Sequence, residues 1–278
     1  MSLSDLSQVS LRQFRARPGF RPRVGSMVEN DSGRQARTAH PEARDAGNST
    51  ALSQRAALVQ QFPVFSNISL ADCREIVSTA YEKEFSRRQT ISLQGDPVRQ
   101  VLLLISGCVK VTQLGQNGTE VILRLSGPGE IVGATGLCLH RNHCSTARTI
   151  QPSKALIWDA AVFEAAAERF PILRRNAARI LDERLRELEE RFREISTEKV
   201  APRLGHEIAR LLRQVGQRVN GAVEINLSRE ELAQLTGTTL FTVCRLLSQW
   251  DELGIVKTRR EAVIVHNIQA LVDLSESE

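Results

Sequence analysis

The chain has 278 residues, 41% of them hydrophobic and 25% charged, with a formal net charge of +5. That length suggests two domains with ample apolar content for cores; no run approaches the roughly 18–20 apolar residues of a membrane span, and no signal-peptide core is visible. Five cysteines, odd in number and scattered, argue against a disulfide framework and for a reducing, cytoplasmic compartment.

The charge is unevenly spread. Residues 1–55 hold nine arginines against five acids, residues 56–195 hold 18 basic and 16 acidic residues, and residues 196–278 hold 10 basic and 11 acidic ones. The first stretch is rich in Ser, Arg, Gly and Pro, has no sustained apolar period and reads as a disordered leader. The methionines are Met1 and Met27; a start at Met27 would remove five of the leader's arginines.

From about Leu58 the pattern changes. Short helical runs around Ala56–Gln61 and Leu70–Ala80 bracket Phe62-Pro63-Val64-Phe65. Strands are predicted at Tyr81–Phe85, Thr90–Leu93, Gln100–Ser106, Cys108–Leu114, Glu120–Ser126, Glu130–Ala134, Ala147–Gln151 and Lys154–Asp159. Gly95-Asp96, Ser106-Gly107, Asn117-Gly118, Gly127-Pro128-Gly129 and Pro152-Ser153 supply the turns between them. Many short strands at regular spacing indicate a sandwich or jelly-roll barrel over residues 56–170.

From Ala160 the period becomes helical. Ala160–Arg169 forms one helix, stopped at Phe170-Pro171. Over residues 171–195, Leu181, Leu185, Leu188, Phe192 and Ile195 recur at intervals of 4, 3, 4 and 3. That is a heptad seam suited to a parallel dimer, in which Arg184 could pair with Glu189 of the partner helix. The alternative is an amphipathic helix packed on its own barrel. Ser196-Thr197-Glu198 is predicted to cap a further helix reaching about Gln214, with Pro202 near its first turn.

The most informative stretch is Asn226–Val265. Ser228 with Glu231 forms an S-x-x-E capping box, Leu232, Ala233 and Leu235 give a short apolar face, and Gly237 stops the helix. Thr238 and Thr239 can cap a second helix with Val243, Leu246, Leu247 and Trp250 at helical spacing, ended by Gly254. Extended runs Ile255–Thr258 and Ala262–Val265 follow, around Arg259-Arg260-Glu261. Helix, tight turn, helix and hairpin are a winged helix-turn-helix, whose second helix normally enters the DNA major groove; the alternative is a helical hairpin with no nucleic acid. The buried stripe leaves Thr239, Leu240, Phe241, Thr242, Cys244, Arg245 and Ser248 toward solvent or DNA. Arg245 has the fork that reads guanine O6 and N7. Thr239 and Thr242 hydroxyls suit phosphates, Leu240 and Phe241 suit thymine methyls, and Arg259 and Arg260 suit the DNA backbone. Residues 196–278 are not basic overall, so local placement must carry affinity.

The whole reads as α+β: an N-terminal β jelly-roll (56–170), a long dimerisation helix (171–195) and a C-terminal winged helix-turn-helix (196–278). It resembles the CRP/FNR regulators, named after the cyclic-AMP receptor protein and the fumarate and nitrate reduction regulator. The resemblance covers roughly residues 58–272. It is carried by Leu227-Ser228-Arg229-Glu230-Glu231-Leu232-Ala233, by Thr242-Val243-Cys244-Arg245-Leu246-Leu247 and by Gly127-Pro128-Gly129-Glu130-Ile131-Val132-Gly133. It implies a homodimeric bacterial transcription factor on a palindromic DNA operator, with RNA polymerase as a further partner and a signal sensed in the roll. The effector pocket would involve Gly133, Ala134, Cys144, Ser145 and Leu188.

Departures from the family pattern narrow the signal. Ala134 stands where cyclic-nucleotide members have the Glu that takes the ribose, Cys144 where they have the Arg that neutralises the cyclic phosphate, and apolar Leu188 where a polar residue reads the base. Losing a buried charge-assisted pair costs on the order of 2–5 kcal/mol, which argues against cyclic AMP. An iron–sulfur cluster is disfavoured because the leader has no cysteine and Cys73 stands alone. Cys138, His140, His143 and Cys144 cluster in seven residues and are candidates for metal or thiol-redox sensing, though not at a standard zinc spacing. No phosphate-loop, nucleophile-elbow or H-E-x-x-H motif is present, so catalytic residues are not expected and the chain is not read as an enzyme. The rival reading is a sensor acting through protein partners, motivated by Leu240-Phe241 and the acidic C-terminal segment.

Overall fold

The computed structural model describes residues 41–116, 118, 120–132 and 142–276. The leader's first 40 residues, and with them Met27, lie outside the described residues. The first described element is helix α1 (Pro41–Val59), so residues 41–55 are helical rather than part of a featureless leader. Leu52 and Ala56 pack into a hydrophobic cluster, and Arg55 Nε donates to Glu82 Oε1 at 2.5 Å. Composition misled here because the helix is mostly polar and offers few large apolar residues. A short turn at Pro63–Phe65 buries Val64 and Phe65, and α2 (Leu70–Ser78) is capped by Ser69, which accepts from the Asp72 amide.

Among the described residues eight short strands follow: β1 (Tyr81–Phe85), β2 (Thr90–Ser92), β3 (Gln100–Ser106), β4 (Val109–Leu114), β5 (Glu120–Ser126), β6 (Ile131–Val132), β7 (Thr146–Thr149) and β8 (Ser153–Asp159). They match the predicted strands to within a residue or two at most ends; of the Glu130–Ala134 run, Ile131 and Val132 are strand, Glu130 is not, and Gly133 and Ala134 lie outside the described residues. They pair antiparallel into two sheets, in the orders β1-β8-β3-β6 and β2-β7-β4-β5. Alternation along β3 and β8 sorts side chains to two cores. Leu102, Leu104, Ala155 and Ile157 fill the roll. Val101, Leu103, Leu156 and Trp158 face the helices instead. There the Trp158 indole donates to Ile76 O at 2.9 Å and meets Phe163 edge-on, 5.3 Å between ring centroids.

After α3 (Ala160–Arg169) comes α4 (Pro171–Thr197), 27 residues long, which spans about 40 Å at the rise of an α-helix. The predicted cap at Ser196-Thr197-Glu198 does not form. Both hydroxyls turn back along α4, Ser196 Oγ to Phe192 O and Thr197 Oγ1 to Arg193 O, each at 2.8 Å. Helix α5 (Val200–Val215) starts after Lys199 with no side-chain cap. Its end leads to a hairpin unforeseen in the sequence reading, β9 (Gln217–Val219) and β10 (Ala222–Ile225). Asn220 and Gly221 between them both have positive φ, 49° and 84°, as a two-residue hairpin turn requires. The helix-turn-helix follows as α6 (Arg229–Thr236) and α7 (Leu240–Glu252), then β11 (Val256–Arg259), β12 (Ala262–Val265) and α8 (Ile268–Glu276). The wing is thus half of a four-stranded sheet, β11-β12-β10-β9.

Candidate nucleic-acid interface

The capping box of α6 is present in both directions: the Glu231 amide donates to Ser228 Oγ at 3.2 Å, and the Ser228 amide to Glu231 Oε2 at 3.0 Å. Gly237 ends α6 in the left-handed region at φ 62°, where a side chain is strained. Thr239 then caps α7 by accepting from the Thr242 amide at 3.2 Å, with the two hydroxyls 2.9 Å apart. Their hydroxyls therefore serve the helix start first, and a phosphate can draw only on the proton left over. Val243, Leu246, Leu247 and Trp250 are buried, so the opposite face is fixed outward. Leu240, Phe241 and Arg245 are exposed, and Thr242 and Cys244 half-buried. Phe241, 77% exposed, is a large apolar ring left in water at the start of the helix. Arg245 makes no hydrogen bond or ion pair with the described residues.

The wing is held in place by charges. Arg229 Nη2 donates to Thr258 Oγ1 at 2.7 Å, tying α6 to β11. Arg259 is exposed and 3.5 Å from Glu224, and Arg260 is exposed at the tip. The next residue, Glu261, pairs with Arg87 at 2.6 Å and Arg88 at 2.8 Å on the roll. The Arg87 hydrogen bond holds its carboxyl below the usual carboxylate range. The wing thus leans on the roll through its acid while both arginines stay at the surface.

Helix α4 has two faces. Toward the roll lie buried Leu173 and Ala177, then Arg184 and Arg191, and buried Glu194 faces α5. Away from it lie Leu181, Leu185, Leu188, Phe192 and Ile195, each between 40% and 72% exposed. The heptad seam is therefore not the face packed on its own roll. Arg184 departs from its expected role: instead of reaching out to a partner, its Nη2 donates to Glu130 Oε2 at 3.1 Å. Arg124 Nη1 shares the same oxygen, also at 3.1 Å. Burial, and then the nearby Arg184 charge, push the Arg124 guanidinium down to about 10. Gly129, at φ 90°, sets up the turn that presents Glu130; a Cβ there would meet the Phe62 ring at 2.8 Å.

Of the expected effector pocket, Gly133 and Ala134 lie outside the described residues, as do Cys138 and His140 of the metal candidates. Cys144 is exposed, Ser145 half-buried, and Leu188 points outward with the seam. A cavity of about 200 Å³ does lie between roll and α4, but its walls are Pro63, Val64, Arg124, Glu130, Ile131, Ala177, Ile180, Arg184 and their neighbours. Leu188 does not line it, because it sits on the other face of α4. His143 is buried, its Nδ1 without a hydrogen-bond partner among the described residues, and burial lowers its pKa against the pull of Asp96. Among the described residues no three His, Cys, Asp or Glu side chains converge as metal ligands. Burial raises the Cys73 thiol to about 11 and lifts Cys108 further, so neither carries thiolate at neutral pH.

A joint between α4 and α5 lies outside the sequence expectations. Glu207 is 1% exposed and Glu194 4%. Arg191 Nη2 donates to Glu207 Oε1 at 2.6 Å and its Nη1 to Leu123 O on β5 at 2.7 Å. Arg210 donates through Nη1 and Nη2 to Glu194 at 2.7 and 2.5 Å, and through Nε to Glu207 at 3.1 Å. One signal was available: Glu207 falls inside the apolar stripe Leu204, Ile208, Leu211, where a surface acid does not belong.

A β-roll leaning on a long helix, followed by a winged helix-turn-helix with a bare recognition face, defines the class of two-domain DNA-binding regulators. The cyclic nucleotide-binding domain family matches residues 82–170 and the Crp-like helix-turn-helix domain family residues 203–274. The chain belongs to the CRP/FNR family of transcriptional regulators. A CRP-like cAMP-activated global transcriptional regulator of Mycobacterium tuberculosis is 23% identical over 210 residues, covering 75% of this chain and 94% of that protein. The cyclic AMP receptor protein of Thermus thermophilus is 27% identical over 213 residues, covering 77% and 96%. Among solved structures, FixK2 from Bradyrhizobium japonicum has the same fold, with a TM-score of 0.62 at 23% identity over 72% of this chain and 98% of that one. Among the described residues no helix is long and apolar enough to cross a membrane.

Proposed function

We propose that this regulator is a homodimer that binds a palindromic DNA operator in the cytoplasm and acts on RNA polymerase. The observation that carries the reading is the outer face of α7, where Leu240, Phe241 and Arg245 stand exposed on a helix whose inner stripe is buried. Arg245 reads a guanine, Leu240 and Phe241 meet thymine methyls, and Arg259 and Arg260 hold the backbone. Cys244 and the Thr239–Thr242 pair flank that contact. Dimerisation runs through the bare seam Leu181, Leu185, Leu188, Phe192 and Ile195, which would place two recognition helices on half-sites about one turn apart. Selection of binding sites from a random-sequence duplex pool by the full chain tests this. A selected palindrome whose affinity falls steeply with salt supports it; a pool with no enrichment overturns it and favours a sensor acting through protein partners.

The signal is not cyclic AMP, although two relatives are a cAMP-activated regulator and a cyclic AMP receptor protein. Ala134 and Cys144 lack the carboxylate and guanidinium that would hold ribose and phosphate, and Leu188 faces away from the roll. Titration calorimetry with cyclic AMP at physiological concentration should give no measurable heat and no shift in Tm; micromolar binding would overturn this part of the reading.

A further inference from the structure

The structure assigns a role to the buried joint between α4 and α5: we propose that Glu207, Glu194, Arg191 and Arg210 fix the angle at which the DNA module leaves the long helix, and so set the half-site spacing the protein accepts. This rests on the dimeric DNA-binding reading above. Every carboxylate oxygen in the joint is committed. Glu207 Oε1 takes Arg191 and Oε2 takes Arg210, while both oxygens of Glu194 take the Arg210 fork. Both main links, Arg191 to Glu207 and Arg210 to Glu194, span 16 residues, so each bridges the α4–α5 turn. A planar guanidinium accepts only a narrow range of approach. Turning α5 against α4 would leave a buried charge without its partner, which the interior does not tolerate.

Two further contacts make the joint a reference rather than a local clasp. The second Arg191 nitrogen ends on Leu123 O, so the roll is part of it. Arg203 Nη1, from α5, donates to Ile195 O at 3.2 Å and Glu198 O at 3.3 Å, closing the C-terminal carbonyls of α4. The turn residue Gly237 lies beside the end of α4, with Ile195 Cδ1 4.0 Å from where its Cβ would be. The start of the recognition helix is thereby referred to the same end of α4. In a dimer built on α4, that angle decides where the two α7 helices sit. Moving the half-sites by one base pair turns one against the other by about 34°, which a pinned joint resists and a loosened one absorbs. The four residues are positioning residues; none touches DNA.

The test uses full-length protein and the palindromic duplex that wild type selects, remade with the half-site centres one and two base pairs closer and farther. Wild type should prefer its own spacing over a one-base-pair change by on the order of tenfold. Glu207→Gln keeps the shape of the side chain and removes its charge. Arg191→Lys leaves Glu194 and Arg210 paired but cannot span Leu123 O and Glu207 together. Each should flatten the preference to about two- or threefold, keep its single-base discrimination and sediment as wild type does. General destabilisation would instead weaken all spacings alike. If Glu207→Gln does not fold, Arg191→Lys decides alone. A folded dimeric variant with the wild-type spacing profile overturns the proposal, whereas wild type that selects no duplex overturns the DNA-binding reading instead.

Discussion

The two faces of α4 are made of opposite material in opposite places. On the side facing the roll and α5, charged residues are buried or half-buried and met within the chain: Arg184 by Glu130, Arg191 by Glu207, Glu194 by Arg210. On the other side, four aliphatic side chains and Phe192 stand in water. A buried carboxylate with both oxygens taken, as in Glu194 and Glu207, holds parts of one chain in a single geometry, while an apolar stripe left exposed marks a surface awaiting cover. The two faces do not compete, because their side chains leave the helix in different directions.

The largest effect should come from attacking the bare face. Leu185→Asp with Phe192→Asp forfeits roughly 1.5–3 kcal/mol of burial per side chain and forces carboxylates into the seam. Sedimentation should find monomers at micromolar concentration with operator affinity largely lost; a double variant that stays dimeric would remove the seam from the comparison. The ionic face should respond differently. Glu130→Ala leaves Arg124 and Arg184 facing each other without their shared carboxylate, at a cost of about 1–3 kcal/mol. Denaturant unfolding should report that loss while the sedimentation coefficient stays at the wild-type value, and a change of oligomeric state would mean the faces are not independent.

Smaller effects belong to residues that neither face touches. Arg245→Ala should fold and dimerise normally, weaken operator binding by about 1–3 kcal/mol and relax discrimination mainly at one base pair per half-site. Arg260→Ala should weaken binding evenly across sequences and lower the salt slope by about one. Binding to a library of single-base variants separates the two, and uniform loss in Arg245→Ala would make it a phosphate clamp.

What could be read from the sequence was what is local. The α6 capping box, the Gly237 stop, the Thr239 cap and the buried stripe of α7 all stand where spacing placed them, because each depends on residues three or four apart. The seam was legible as a heptad for the same reason. The partners of the other α4 face were not, since Glu130 lies 54 residues before Arg184 and Leu123 lies 68 before Arg191. A heptad offered Arg184 only a hypothetical neighbour, and the roll supplied a real one. Elsewhere a signal was present but unread: Asn220-Gly221 announces the β9–β10 hairpin, and Asn267, which accepts from the Ala270 amide at 3.0 Å, announces α8. Leu188, a candidate both for the seam and for the effector pocket, stands on the exposed face of α4.

The hydrophobic core that runs from Leu204, Ile208 and Leu211 through Leu232 and Val243 does not stop at the DNA module; it takes in Cys108, Ile122, Leu125 and Ile150 of the roll. That continuity bears on transplantation. A chimera that grafts residues 196–278 onto a foreign sensor would open an apolar wall to water and leave Glu207 without Arg191. The shape of α7 is portable, because its caps and its exposed face are self-contained. The module that carries it is not, unless the graft brings along the β4–β5 hairpin and the last turns of α4.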